Sequence, residues 1–201
     1  SLNAEVPLCP GGRAPSGVDK VVGPDKTQTG ARALFQFEAV KGAGGTVQYR
    51  VDWDDGDISP WSALRPVDRD FKTEHVFYLP GEKELRVQLR DDCSMTSDWL
   101  PLARVQVEGE ARVFASTDPY LQHLRTDGIT ILWEANVNLH GSVLYGPRSD
   151  ALAHSAEASA APSGHGTFIY RTVLDGLEPG SEYIYRAVLA EDYEMGGGVF
   201  R

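Results

Sequence analysis

A chain of 201 residues, 41% hydrophobic and 24% charged, can bury one large or two ordinary cores and is too apolar to be a disordered tail. The net charge of −10 is shared, with 13 basic against 17 acidic residues in 1–109 and 6 against 12 in 110–201, so neither half is the clustered basic footprint that nucleic acid or an anionic membrane requires. No apolar run approaches the roughly 20 residues that cross a bilayer, and two cysteines are too few for a disulfide scaffold or a thiolate zinc site.

The sequence opens on Ser1 with neither initiator Met nor signal peptide, and reads as a mature or excised piece of a longer protein. Residues 1–17 hold Pro7, Pro10, Gly11, Gly12, Pro15 and Gly17 with little periodicity, an extended leader. Val18 to Val22 predicts a short first strand, ended by Gly23-Pro24. Ala33, Phe35, Phe37 and Ala39 alternate with polar residues and predict a second, which Gly42 to Gly45 turns into the strand that organises this half. There Val47, Tyr49, Val51 and Trp53 alternate with Gln48, Arg50, Asp52 and Asp54, one dry face and one wet, which points Trp53 into a core. Asp55-Gly56 is a strong hairpin signal, because Gly accepts the positive φ of a tight turn. Ile58, Trp61 and a polar loop through Arg69 follow, then strands over Phe71 to Tyr78, Leu85 to Leu89 and Ala103 to Val107.

Glu108-Gly109-Glu110 reads as a linker, and a second alternating set begins beyond it. Its strands carry Ile129, Ile131 and Trp133, then Val143 and Tyr145, then Phe168 and Tyr170, then Tyr183, Tyr185 and Ala187. Ala151 to Gly166, rich in Ala, Ser and Gly, reads as a loose connection. Short strands between turn signals, with no helical period, predict an all-β fold of two tandem antiparallel β-sandwiches, 18–109 and 110–201.

Chemistry-bearing residues are sparse. Asp52, Asp54, Asp55 and Asp57 could supply oxygens to Ca²⁺, or form a solvated hairpin tip; the spacing lacks the twelfth-position Glu of an EF-hand. Trp61 and Trp99 each follow Ser-x, and either pack on each other to brace the sheet or stand exposed as binding aromatics. Gln48, Arg50, Asp52, Arg86, Gln88 and Arg90 share the outer face as a cross-strand charge ladder. His75, His123, His140, His154 and His165 have no paired spacing, and Gly42 to Gly45 lacks the Lys-Ser/Thr of a phosphate loop. No catalytic residue is assigned.

In order, DWDDG (52–56), ISPWS (58–62), HVFYLPGEKELRVQLRD (75–91) and SDWL (97–100) resemble the extracellular PKD-type immunoglobulin-like sandwich over about Gly11 to Gly109, with Asp54 where that family usually has Gly. Leu177-Glu178-Pro179-Gly180 followed by Tyr183 resembles the corner of a fibronectin type III domain, in which a Tyr hydroxyl caps the backbone a few residues upstream. Together with Pro119-Tyr120-Leu121-Gln122, the Trp133 strand and Tyr145-Gly146, it is similar to the fibronectin-like N-terminal domain of purple acid phosphatases, over about Pro119 to Arg201.

These resemblances imply a non-catalytic accessory region of a secreted, periplasmic or cell-surface metallophosphoesterase. Its dinuclear metal site would belong to a separate catalytic domain, which would also be the region's partner. The rival is an extracellular module pair that binds a glycan or another protein through Trp61, Trp99 or a sheet edge. In an immunoglobulin-like sandwich the lead-in to the first strand and the loop between the last two strands sit at the same end. The resemblance therefore implies a disulfide between Cys9 and Cys93, stable outside the cytosol, with two unpaired thiols as the alternative.

Overall fold

The structure, a computed structural model, describes residues 14–39, 45–67, 69–148 and 152–201, and every regular element among them is a β-strand. The chain divides into two compact units, Ser1–Asp54 with Ile58–Gly109 and Asp55–Asp57 with Glu110–Arg201. Among the described residues no helix is long and apolar enough to cross a membrane.

In the first unit, β1 (Val18–Val22), β3 (Arg32–Ala39) and β6 (Asp70–Val76) make one sheet. The other has the order β2-β8-β7-β4-β5, from β2 (Lys26–Gln28), β4 (Thr46–Asp52), β5 (Arg65–Pro66), β7 (Gly81–Asp91) and β8 (Leu100–Glu108). Alternation puts Phe35 and Phe37 of β3, Val47 and Val51 of β4, Leu85, Val87 and Leu89 of β7, and Val105 and Val107 of β8 into one core. Trp53 joins them as expected, buried with its ring 5.9 Å from Phe35 and stacked on His75 at 4.5 Å.

The first strand changes sheets partway. β1 pairs antiparallel with β3, whereas β2 pairs parallel with β8, so this sandwich is not purely antiparallel. Gly23 makes the crossing compatible with the core, because a Cβ there would lie 2.4 Å from Cδ1 of Phe35.

In the second unit the order is β15-β14-β11-β12-β13-β10-β9, from β9 (Ala115–Gln122), β10 (Gly128–Ala135), β11 (Gly141–Pro147), β12 (His154–Pro162), β13 (Phe168–Asp175), β14 (Tyr183–Leu189) and β15 (Tyr193–Phe200). The stretch expected to be a loose connection is largely β12, a nine-residue strand. Its first half pairs with β11 (Ala158 opposite Gly141) and its second with β13 (Ser159 opposite Arg171), so it joins the two sheets. Small side chains, most of them exposed, hide it from a hydrophobic-period reading. The core centres on Trp133, stacked on Tyr170 at 5.1 Å. The Tyr170 hydroxyl accepts the Leu139 N–H at 2.9 Å and has the Val137 and Leu139 carbonyls within 2.9 Å for its own proton.

Candidate functional site

The outer face of β4 and β7 carries a connected set of polar and aromatic side chains. Antiparallel register sets Gln48 opposite Arg90, Arg50 opposite Gln88 and Asp52 opposite Arg86. After the turn, an isolated bridge joins Ile58 to Asp52, and the chain runs back along the open edge of β4. The N–H groups of Ser59 and Ser62 donate to the carbonyls of Val51 and Tyr49, both at 2.8 Å. In return, the two hydroxyl oxygens accept the Val51 and Tyr49 N–H groups at 2.9 and 3.0 Å. Ser97 does the same for Leu89 of β7, donating N–H at 2.9 Å and accepting at 3.0 Å. Gln48 and Gln88 then donate to the Ser62 and Ser97 carbonyls at 2.7 and 2.9 Å. Serine suits these places because an irregular segment leaves strand amides that a short hydroxyl can satisfy.

Each pinned serine swings its neighbouring tryptophan over the sheet. The Arg90 guanidinium lies 4.3 Å from the Trp61 ring centre, Arg50 lies 4.8 Å from Trp61 and 5.2 Å from Trp99, and Arg86 lies 5.8 Å from Trp99. The sequence along the strand axis is therefore Arg90, Trp61, Arg50, Trp99, Arg86. Trp61 and Trp99 do not pack on each other; Arg50 stands between them. Register also fixes the acceptors. Arg90 donates Nε and Nη2 to Gln48 Oε1 at 3.2 and 2.8 Å, Arg50 donates Nε to Gln88 Oε1 at 2.9 Å, and Arg86 pairs with Asp52. The expected charge ladder is thus a cation–π stack, each contact contributing roughly 0.5–1 kcal/mol at a half-exposed site. Beside Trp99, the β7–β8 pairing slips between Leu85 and Arg86, and an open groove of about 400 Å³ lies there, lined in part by Glu84, Arg86, Trp99, Pro101 and Arg104. Arg104 is held there by Glu84 at 2.6 Å.

The acidic residues after β4 are engaged locally. Asp52 Oδ1 accepts the Asp54 N–H at 3.1 Å, Asp54 Oδ2 accepts the Glu84 N–H at 3.0 Å, and Asp55 Oδ1 accepts the Asp57 N–H at 3.1 Å. Asp54 sits at φ 57°, a left-handed conformation that Asp tolerates and that explains why Gly is the usual residue in the pattern it resembles. Among the described residues, the group of three ligand side chains converging within 4.8 Å is Asp91, Asp92 and Cys93, and includes neither these four aspartates nor any histidine. Asp91 is buried and spends Oδ1 on the N–H groups of Cys93 and Met95, at 3.0 and 2.7 Å. Cys93 is disulfide-bonded and has no thiolate to offer; Cys9 lies outside the described residues.

In the second unit, the Tyr183 hydroxyl accepts the Glu178 N–H at 3.0 Å, the corner geometry that its sequence resembles. Tyr185 reaches across to β9, donating its hydroxyl to the Pro119 carbonyl at 3.3 Å. An open groove of about 440 Å³ is lined in part by Leu121, His123, Leu124, Ile129, Val199 and Phe200, with Leu124 68% exposed. Burial pushes the Tyr170 phenol up from its ordinary range, against the opposing hydrogen bond to Leu139.

No family model matches this chain, and no curated protein matches it significantly. Solved structures similar to it include the PKD domain of an M14-like peptidase from Thermoplasmatales archaeon SCGC AB-540-F20, at 20% identity over 49% of this chain and 99% of that one, TM-score 0.44. A marsupial T cell receptor is similar at 13% identity over 92% and 94% of the two chains, TM-score 0.37. The chicken CNTN1 FN1–FN3 domains are similar at 12% identity over 94% and 66%, TM-score 0.35. The fold class stands on the sheets and cores described above.

Proposed function

We propose that this chain is a non-catalytic, extracellular accessory region made of two β-sandwich modules. It belongs to a purple acid phosphatase-like enzyme whose catalytic domain it positions or shields. The observation that carries the accessory reading is the ladder. A sugar-stacking platform needs free indole faces, and those of Trp61 and Trp99 are covered by Arg50, Arg86 and Arg90 of the same unit. The side chains brace the sheet they stand on. The phosphatase reading is supported by the order of motifs from Pro119 to Arg186 and by the Tyr183 corner. Any dinuclear metal chemistry belongs to another domain, because it takes several carboxylates and imidazoles converging on two ions about 3.5–4 Å apart.

Two measurements test this. The reading frame beyond Arg201 is expected to encode blocks of Asp, Asn and His; a stop codon or further β-modules there would overturn the phosphatase assignment. The chain alone, given a chromogenic phosphomonoester with Fe, Zn or Mn, is expected to show background turnover. Metal-dependent hydrolysis that survives repurification would overturn the non-catalytic reading.

A further inference from the structure

We propose that the outer face of the β4–β7 pair binds an anionic polysaccharide through the edges of Arg50, Arg86 and Arg90. The proposal does not rest on the phosphatase reading. Indoles cover both faces of the Arg50 guanidinium and one face each of Arg86 and Arg90, so the ladder offers guanidinium rims as its N–H donors. Arg50 uses only Nε, so both its Nη groups remain as donors; Arg90 keeps Nη1, and Arg86 keeps Nε and Nη1. Paired guanidinium donors match the two oxygens of a carboxylate or sulfate.

The three groups are also in line. Arg86 and Arg90 are four residues apart on β7, and Arg50 lies opposite Gln88, midway between them. At about 3.4 Å per residue, successive guanidiniums originate about 7 Å apart along the strand axis. Stacking and the Gln48, Gln88 and Asp52 acceptors hold them still before any ligand arrives, which lowers the ordering cost of binding. The opposing charges on this face include Asp52, with which Arg86 pairs, Asp98 beside Trp99, Glu84 and Glu82, which share Arg104 at 2.6 and 3.9 Å, and Asp92, whose Oδ2 accepts the Thr46 hydroxyl at 3.3 Å beyond Arg90. A groove of about 400 Å³ begins where the ladder ends and shares Arg86 and Trp99 with it, giving a sugar ring room beside an indole edge.

Sparse anionic charge is favoured over dense charge. A duplex carries one phosphate per about 1.7 Å of axis, and would press most of its charge against a chain of net −10. Anions spaced along a polysaccharide can meet the stripe alone, since charges beyond about 8–10 Å are screened at ordinary ionic strength.

Immobilised heparin and polygalacturonate, run at ordinary ionic strength beside immobilised duplex DNA, test the proposal and identify the anion. Retention on either polysaccharide, released by salt, is expected. Arg86→Gln and Arg90→Gln should each weaken it about tenfold, the loss of one charge-assisted contact. Arg171→Gln, the same charge change at an exposed site on β13, should leave it unchanged. Should Arg90→Gln loosen the fold, indole and guanidinium N–H shifts in the wild-type chain titrated with heparin give the same answer. Passage through both columns, equal loss in Arg171→Gln, equal retention on DNA, or shifts confined to other surfaces would overturn the assignment.

Discussion

Replacing Arg50 by alanine removes the central rung of the ladder. The guanidinium touches two indoles, at 4.8 and 5.2 Å, and donates Nε to Gln88 at 2.9 Å. Two cation–π contacts at about 0.5–1 kcal/mol each and one hydrogen bond at about 0.5–1.5 kcal/mol place the loss near 2–3 kcal/mol. Arg86→Ala removes one longer contact, at 5.8 Å, and an ion pair whose arginine side chain is 53% exposed, so it should cost about 0.5–1 kcal/mol. At about 4–8 °C per kcal/mol for a domain of this size, the first unit's transition should fall by about 10 °C or more in Arg50→Ala and by only a few degrees in Arg86→Ala. Urea unfolding followed by tryptophan fluorescence, with calorimetry to separate the transitions of the two units, measures both. A cycle with Trp61→Ala should give a coupling of about 0.5–1 kcal/mol. Equal losses at the two arginines, or a coupling near zero, would refute the reasoning that the stack contributes free energy.

Tyr183→Phe should cost the second unit about 1–2 kcal/mol in chemical denaturation, because the Glu178 N–H loses its acceptor. The folded state holds the buried Tyr170 proton more tightly than the unfolded state does. Its contribution is therefore complete below about pH 10 and lost as pH rises through the folded value; an alkaline fall in Tm, with a late-titrating tyrosinate absorbance that Tyr170→Phe reduces and that Tyr49 and Tyr185, also pushed up by burial, share, checks this. Thiol counting on unreduced protein in denaturant should find no free thiol. Cys9→Ser should then expose one, at Cys93, and lower the stability of the first unit by roughly 2–5 kcal/mol.

Strands whose side chains alternate in size and polarity were legible. Phe35 and Phe37, Val47 to Trp53 and Leu85 to Leu89 announce both their period and their buried face, because burial of one face is what the alternation records. β12 was not, since Ala156 and Ala158 are too small to mark its half-buried side, and the rest of the strand is exposed. β15 was hidden differently. Its three glycines carry no side chain to alternate, and Gly197 packs so close to β14 that a Cβ would lie 2.3 Å from the Tyr185 carbonyl oxygen. In the candidate site, the membership of the face was readable from period alone, but the order of the stack was not. That order depends on the cross-strand register and on the path of Ser59–Ser62 along β4, and neither is local in sequence.

The repeated Ser-x-Trp segments explain why the ladder belongs to the architecture and is not a chance meeting of surface side chains. A lone arginine on a strand face keeps many rotamers, and ordering it costs about 1.5–2 kcal/mol, more than one exposed cation–π contact returns. Three arginines and two tryptophans in isolation would therefore remain unstacked. Here the backbone of each tryptophan is already fixed by its serine, through bonds that satisfy strand amides the sheet would otherwise leave open. The glutamines complete the restraint by joining two of the arginines to the carbonyls of the serine segments, Arg90 through Gln48 to Ser62 and Arg50 through Gln88 to Ser97, while Asp52 holds Arg86. Ordering is thus shared among contacts that each need the others. Removing any of the three serine hydroxyls should loosen the stack without touching a ring, and loosening at a distance separates a built ladder from an accidental one.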